Sequence, residues 1–122
     1  MTRPLDWAKA SFQEAMEQKP ARIEFPAWKD ESGQPFACFV FPQSVQDLDE
    51  ITKATRVSQV QGLVMTIVRR ARKEDKSRIF SDPERIVIMK ECSGDDICDL
   101  AHAINTAVPG ADHTIGGGPG KP

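Results

Sequence analysis

The chain has no tyrosine, only two histidines and only three cysteines in 122 residues, and each scarcity removes a class of function. Three cysteines (Cys38, Cys92 and Cys98) are too few and odd in number for a disulfide framework, so a reducing cytoplasm is the expected compartment. Cys98 and His102 stand four apart and share a face if that stretch is helical, and Cys92 adds a third candidate ligand. Structural zinc wants four ligands in short Cys-x2–4-Cys pairs. No fourth ligand of that kind stands nearby, so the three read as packing residues and no metal or cofactor is expected. A cysteine nucleophile needs a base and an oxyanion donor in the same cleft, and His113 lies in a glycine-rich end. No catalytic set emerges, and a non-enzyme is expected.

Charge of one sign is lacking too. With 16 basic and 18 acidic residues the formal net charge is −2, which disfavours a dedicated nucleic-acid binder. The chain has no apolar stretch long enough for a membrane-spanning helix, and Met1–Trp7 lacks the apolar run of a signal peptide. The stretch Gly116–Lys121 imitates a phosphate-binding loop, but no hydroxyl residue follows the lysine and no helix opens after it.

What is present is patterning for one mainly helical α+β domain over residues 1–110, followed by a flexible Gly/Pro-rich tail over 111–122. Leu5, Ala8, Phe12, Ala15 and Met16 recur at helical spacing, predicting a helix from about Pro4 to Gln18 that Lys19-Pro20 ends. Ala21–Phe25 and Phe36–Phe41 read as a β-hairpin across a polar loop containing Gly33, with Pro26 and Pro42 ending the pairing. A small helical bundle follows. Ser44 caps a helix whose apolar side is Val45, Leu48 and Ile51, and Ser58 with Gln61 offers a new start after a break near 55–58. Val57, Val60, Val64, Ile67, Val68 and Ala71 form the cleanest stripe. Ser81-Asp-Pro-Glu84 and Ser93-Gly-Asp-Asp96 open two more helices, served by Ile86 and Met89 and by Ile97, Leu100, Ala101, Ile104 and Val108 until Pro109-Gly110.

Arg69, Arg70, Arg72, Lys73, Lys76 and Arg78 cluster at the end of the long stripe. One reading is a solvated helix C-terminus complementing the dipole; the other is a contact patch for an acidic protein or nucleic acid. Trp28, between Pro26 and a charged loop, is either a rim anchor for a partner or a wedge against the helices.

The order of these pieces resembles the tail assembly chaperones of long-tailed bacteriophages and prophages. Phe25-Pro-Ala-Trp28 is similar to the family's Val-Pro-Glu-Trp-like element, Lys73–Phe80 to its Asp-Glu-Asp-Gly-Lys-Arg-Leu-Phe turn, and Ser81–Glu84 and Ser93–Ile104 to the two helices that follow. Ala27 replaces the acid before the tryptophan, and Lys76 stands where the family often has glycine. A positive φ retained there would cost about 1 kcal/mol. The resemblance implies a non-enzymatic protein of the bacterial host cytoplasm, absent from the mature virion. It would bind and solubilise the tape-measure protein, help recruit tail-tube subunits, and self-associate. Partner contacts are expected at Trp28, Arg69, Arg70, Arg72 and at Ile79-Phe80, the latter also a hydrophobic latch between the long stripe and the final helices. The alternatives are a small tail or head-completion protein retained in the virion, and a nucleic-acid-binding regulator using the Arg69–Arg78 cluster.

Overall fold

The structure is a computed structural model and describes residues 3–116. Helix α1 (Pro4–Glu17) opens on Pro4, and Asp6 accepts the Arg3 N–H across the first turn. No residue of α1 is buried; Leu5 and Phe12 of its apolar side are exposed, as is Trp7 on the opposite side. Lys19-Pro20 then leads into β1 (Ala21–Lys29), which runs antiparallel to β2 (Pro35–Val40).

The hairpin turn is built around Asp30. Its carboxylate accepts from Ser32 N, Ser32 Oγ and Gln34 N, while Gly33 supplies the positive φ of 86° that the reversal needs. Those hydrogen bonds, led by the Ser32 hydroxyl, hold the Asp30 carboxyl below its ordinary range. Pro26 does not end β1, as its missing N–H predicted. Pairing stops at Phe25–Phe36, skips, and resumes at Lys29–Pro35, so the proline sits in an irregularity of the ladder instead.

Ser44 Oγ caps α2 (Val45–Val57) by accepting from Asp47 N, and Ser58 Oγ caps α3 (Gln59–Arg70) by accepting from Gln61 N. The expected break is therefore real. Ser58 closes one helix and opens the next with an extended φ, ψ of −161°, 153°. The two helices pack closely because Gly62 has no side chain: a Cβ there would lie 3.0 Å from the Thr55 Cα. Helix α4 (Glu84–Glu91) starts two residues later than Ser81 would place it if Ser81 were its cap; Glu84 nevertheless accepts the Ser81 N–H and hydroxyl, one half of a capping box. Helix α5 (Gly94–Asn105) is capped by Ser93, whose Oγ accepts from Asp96 N.

Beyond α5 the structure departs from expectation. Gly110, at φ 81°, turns the chain, and Asp112–Thr114 form β3, parallel to β1 and opposite Arg22–Glu24. Ile115 is buried behind it. The predicted tail thus does not begin at Ala111; edge pairing with β1 and one buried side chain hold the chain through Ile115, and 117–122 lie outside the described residues. The sheet order is β2-β1-β3. Its inner face (Ile23, Phe25, Cys38) meets Ile67 and Val68 of α3 and Leu100 and Ile104 of α5 in one core.

The helix faces were only partly as expected. Val64, Ile67, Val68 and Ala71 are buried, but Val57 and Val60 are exposed. On α2, Val45 (83% exposed) and Leu48 face outward, and the buried residue is Asp47. On α4, Ile88 is buried while Ile86 and Met89 are exposed. Val108 lies past the end of α5 and is exposed.

Candidate functional site

Two surfaces concentrate chemistry, and both depend on α3. At its C-terminal end Lys73 and Lys76 are exposed, but the four arginines Arg69, Arg70, Arg72 and Arg78 are half-buried and not a solvated helix terminus. Asp47 sits in a side-chain environment 13% exposed and holds Arg69 at 3.3 Å and Arg72 at 3.2 Å. Asp82 takes the other arm of Arg69 at 3.2 Å and Arg78 at 2.6 Å. Arg70 turns away and donates to the Phe41 carbonyl. The helix ends against a loop rather than in water, because Phe39 of β2 exchanges backbone hydrogen bonds with Arg72, covering the outer edge of the sheet. The arginines are drawn into that junction, and carboxylates from α2 and from the turn before α4 meet them there.

Electrostatics follow from the packing. Burial pulls the Arg70 guanidinium below its ordinary range, with Asp47 acting in the opposite sense, and the same holds for Arg72, where Arg78 and Arg69 add a small downward push. The hydrogen bond from Arg78 holds the Asp82 carboxyl below the usual carboxylate range. The turn that follows is tight. Lys73 N donates to Ser77 O, Lys76 N donates to Lys73 O, and Asp75 accepts from both Ser77 N and Ser77 Oγ. Lys76 carries φ 76°, the only non-glycine positive φ among the described residues.

The other surface is an apolar groove of about 310 Å³ between α3, α4 and α5, walled by Val60, Leu63, Val64, Ile88, Met89 and Ile97. Val60 and Met89 are exposed on it, 53% and 44%. It owes its depth to the short α4, which turns only Ile88 into the core and leaves a trough beside the first turn of α5. Cys92 and Cys98 also border it, and both thiols are exposed, as is His102. Among the described residues no three His, Cys, Asp or Glu side chains come together to hold a metal, and no helix is long and apolar enough to cross a membrane.

The structure separates the residues that the sequence singled out. Arg69, Arg70 and Arg72 meet at the α2–α3–β2 junction. Trp28 is a wedge: its ring packs 5.0 Å from Phe25 and 5.4 Å from Phe36, and its Nε1 donates to Asp96 on α5 at 3.1 Å. Ile79 and Phe80 are partly buried against the core, with Phe80 6.2 Å from Phe36, so the latch closes on the sheet as well as beside the helices. Asp47 and Gln43 were not singled out. Asp47 reads locally as a first-turn acid, and nothing in its neighbourhood announces arginines more than twenty residues away. Comparison of the chain with family models, with curated proteins and with solved structures gives no match.

Proposed function

We propose that this protein is a tail assembly chaperone of a long-tailed phage or prophage. In this reading it holds apolar helical segments of the tape-measure protein in the α3–α4–α5 groove, helps bring tail-tube subunits to them in the host cytoplasm, and leaves before the particle is complete. The observation that carries the reading is the groove, an apolar trough with Val60 and Met89 open to an incoming helix. Helix-in-groove recognition needs such a trough and side chains inserted at three- and four-residue spacing. Two features add support. The order of turn, apolar pair and paired helices runs as in the family that the sequence resembles, and Lys76 adopts the left-handed geometry that a glycine of that family's turn would supply. Exposed Val45 and Leu48 on α2 fit self-association of the unloaded protein.

Copurification with a tape-measure protein of the same phage or prophage is the direct test. A stable complex is expected, and it should be lost in Val60→Asp and Met89→Asp variants that still fold. Absence of a complex together with normal tails after deletion of the gene overturns the proposal. So does recovery of the protein in purified particles at stoichiometric amounts, which would mark a retained tail or head-completion component.

A further inference from the structure

A cavity of about 310 Å³ lies where the C-terminal half of α1 passes the loop from β2 into α2 and the end of α3. It shares no lining residue with the apolar groove. Its walls bring four cations, Arg69, Arg70, Arg72 and Lys76, together with Asp47 as the single lining carboxylate. Asp47 is already engaged by Arg69 and Arg72. Among the described residues Arg70 has only the Phe41 carbonyl as acceptor, and the Lys76 ammonium stands 5.9 Å over the Phe41 ring.

Three buried side-chain polar atoms lack a hydrogen-bond partner among the described residues: Gln43 Oε1, Arg69 Nε and Arg70 Nε. All three belong to residues lining this one cavity. A buried donor or acceptor left unpaired costs about 1–3 kcal/mol, and native structures leave few of them. Unpaired atoms on three residues of one wall, beside an excess of positive charge, describe a receptor for an anion with a donor next to it, reached by a small turn of the Gln43, Arg69 and Arg70 side chains, whose unpaired atoms are buried in the free protein. The desolvation that lowers the Arg70 pKa points the same way, since a second anion would offset it.

We propose that this cavity binds an acidic peptide segment, with a carboxylate received by Arg69 and Arg70, a neighbouring backbone N–H donated to Gln43 Oε1, and an adjacent apolar side chain resting on Phe12, Met16 and Phe41. Each part of the ligand answers a part of the wall. The planar guanidinium fork suits a carboxylate, the orphaned amide oxygen needs a donor, and the apolar rim needs a hydrocarbon. Inorganic phosphate keeps an O–H near neutral pH, but it brings up to two negative charges towards Asp47 and no hydrocarbon for the apolar rim. A nucleic acid carries a charge on every phosphate along its length, and a chain of net charge −2 would not steer such a polyanion to the cavity. The site is independent of the groove and of the function proposed for it.

The test is a titration of the full-length ¹⁵N-labelled protein, reading the arginine Nε–H resonances. The probes are a seven-residue acetylated and amidated peptide with a central glutamate flanked by leucines, its glutamine counterpart, that glutamine peptide with a free C-terminal carboxylate, and inorganic phosphate. The glutamate peptide should shift the Arg69 and Arg70 Nε–H signals saturably, and the amidated glutamine peptide should bind at least about tenfold more weakly, the loss of one charge-assisted hydrogen bond. Comparable binding by the free-carboxylate peptide supports the same chemistry and identifies a chain terminus as its source. Arg70→Gln should weaken the glutamate peptide about tenfold. Met16→Glu, on a helix without buried residues, should weaken it by repulsion and keep the fold. The proposal is overturned if no peptide shifts those signals, if the glutamate and amidated glutamine peptides bind alike, or if phosphate binds more tightly than the glutamate peptide.

Discussion

Lys76 holds a φ of 76° that costs a residue with a Cβ about 1–2 kcal/mol. Glycine would remove that strain but bring about 0.5–1 kcal/mol of extra unfolded-state freedom and forfeit the cation–π contact with Phe41, worth about 0.5–1 kcal/mol at an exposed site. These terms nearly cancel, so Lys76→Gly should shift stability by less than about 1 kcal/mol in urea unfolding. Lys76→Val loses the same contact and adds a β-branch to a left-handed residue, so it should destabilise by about 1–3 kcal/mol. Equal stability for the glycine and valine variants would remove this account of the turn. The thiols divide as sharply. Burial pushes Cys38 up to about 12, whereas Cys92 and Cys98 are exposed. At pH 8 a disulfide reagent should therefore titrate two thiols in the native protein and release the third only on unfolding. Lys76 also shows what a motif can reveal at this scale: its order in the chain raised the question of a positive φ, but only the backbone could answer it.

Among the elements, the α2–α3 pair is the most exposed to a one-atom change. A methyl on Gly62 would meet the Thr55 Cβ at 2.9 Å and its backbone at 3.0 Å, too close for a side-chain adjustment alone. Gly62→Ala should cost about 1–3 kcal/mol by overpacking. Thr55→Ala in the same chain should restore only part of it, because the Cβ and backbone contacts remain, and a double-mutant cycle on unfolding free energies reads that coupling. The caps that delimit these helices were legible in sequence, since Ser44, Ser58 and Ser93 each act on a backbone N–H three residues away. Their buried faces were legible only where the stripe was long, as from Val64 to Ala71. The short α4 carries apolar residues at four successive positions, Ile86 to Met89, so periodicity could not say that Ile88 alone turns inward. Strand β3 was missed for a different reason. It has no apolar alternation of its own and exists because β1, far away in sequence, has a free edge beside it.

For the molecule as a whole, the α2–α3–β2 junction joins charge to fold, and acid is the condition that tests it. Asp82 is held below its ordinary range by the Arg78 hydrogen bond, and Asp75 by the Ser77 hydroxyl and N–H. Folded values below unfolded ones mean that these carboxylates stabilise the native state fully above the unfolded value of about 3.9, and that the contribution disappears as pH falls through the folded values. Protonation of Asp82 also removes one of the anions between Arg69 and Arg78, leaving the arginines to repel one another across a half-buried junction. Thermal stability should therefore be nearly flat with respect to these two groups from pH 7 to about 5 and fall below about 4, modestly because both carboxylates are open to solvent. Asp82→Asn should lower stability at neutral pH and show a shallower fall on acidification, because its share of the loss is already taken. Added salt should recover part of the acid loss by screening the freed cations, the Debye length shrinking from about 10 Å at 0.1 M to about 3 Å at 1 M. If wild type and Asp82→Asn lose stability in parallel between pH 5 and pH 3, the Arg69–Asp82–Arg78 bridge is not what ties the turn to α3, and the acid sensitivity belongs to other carboxylates.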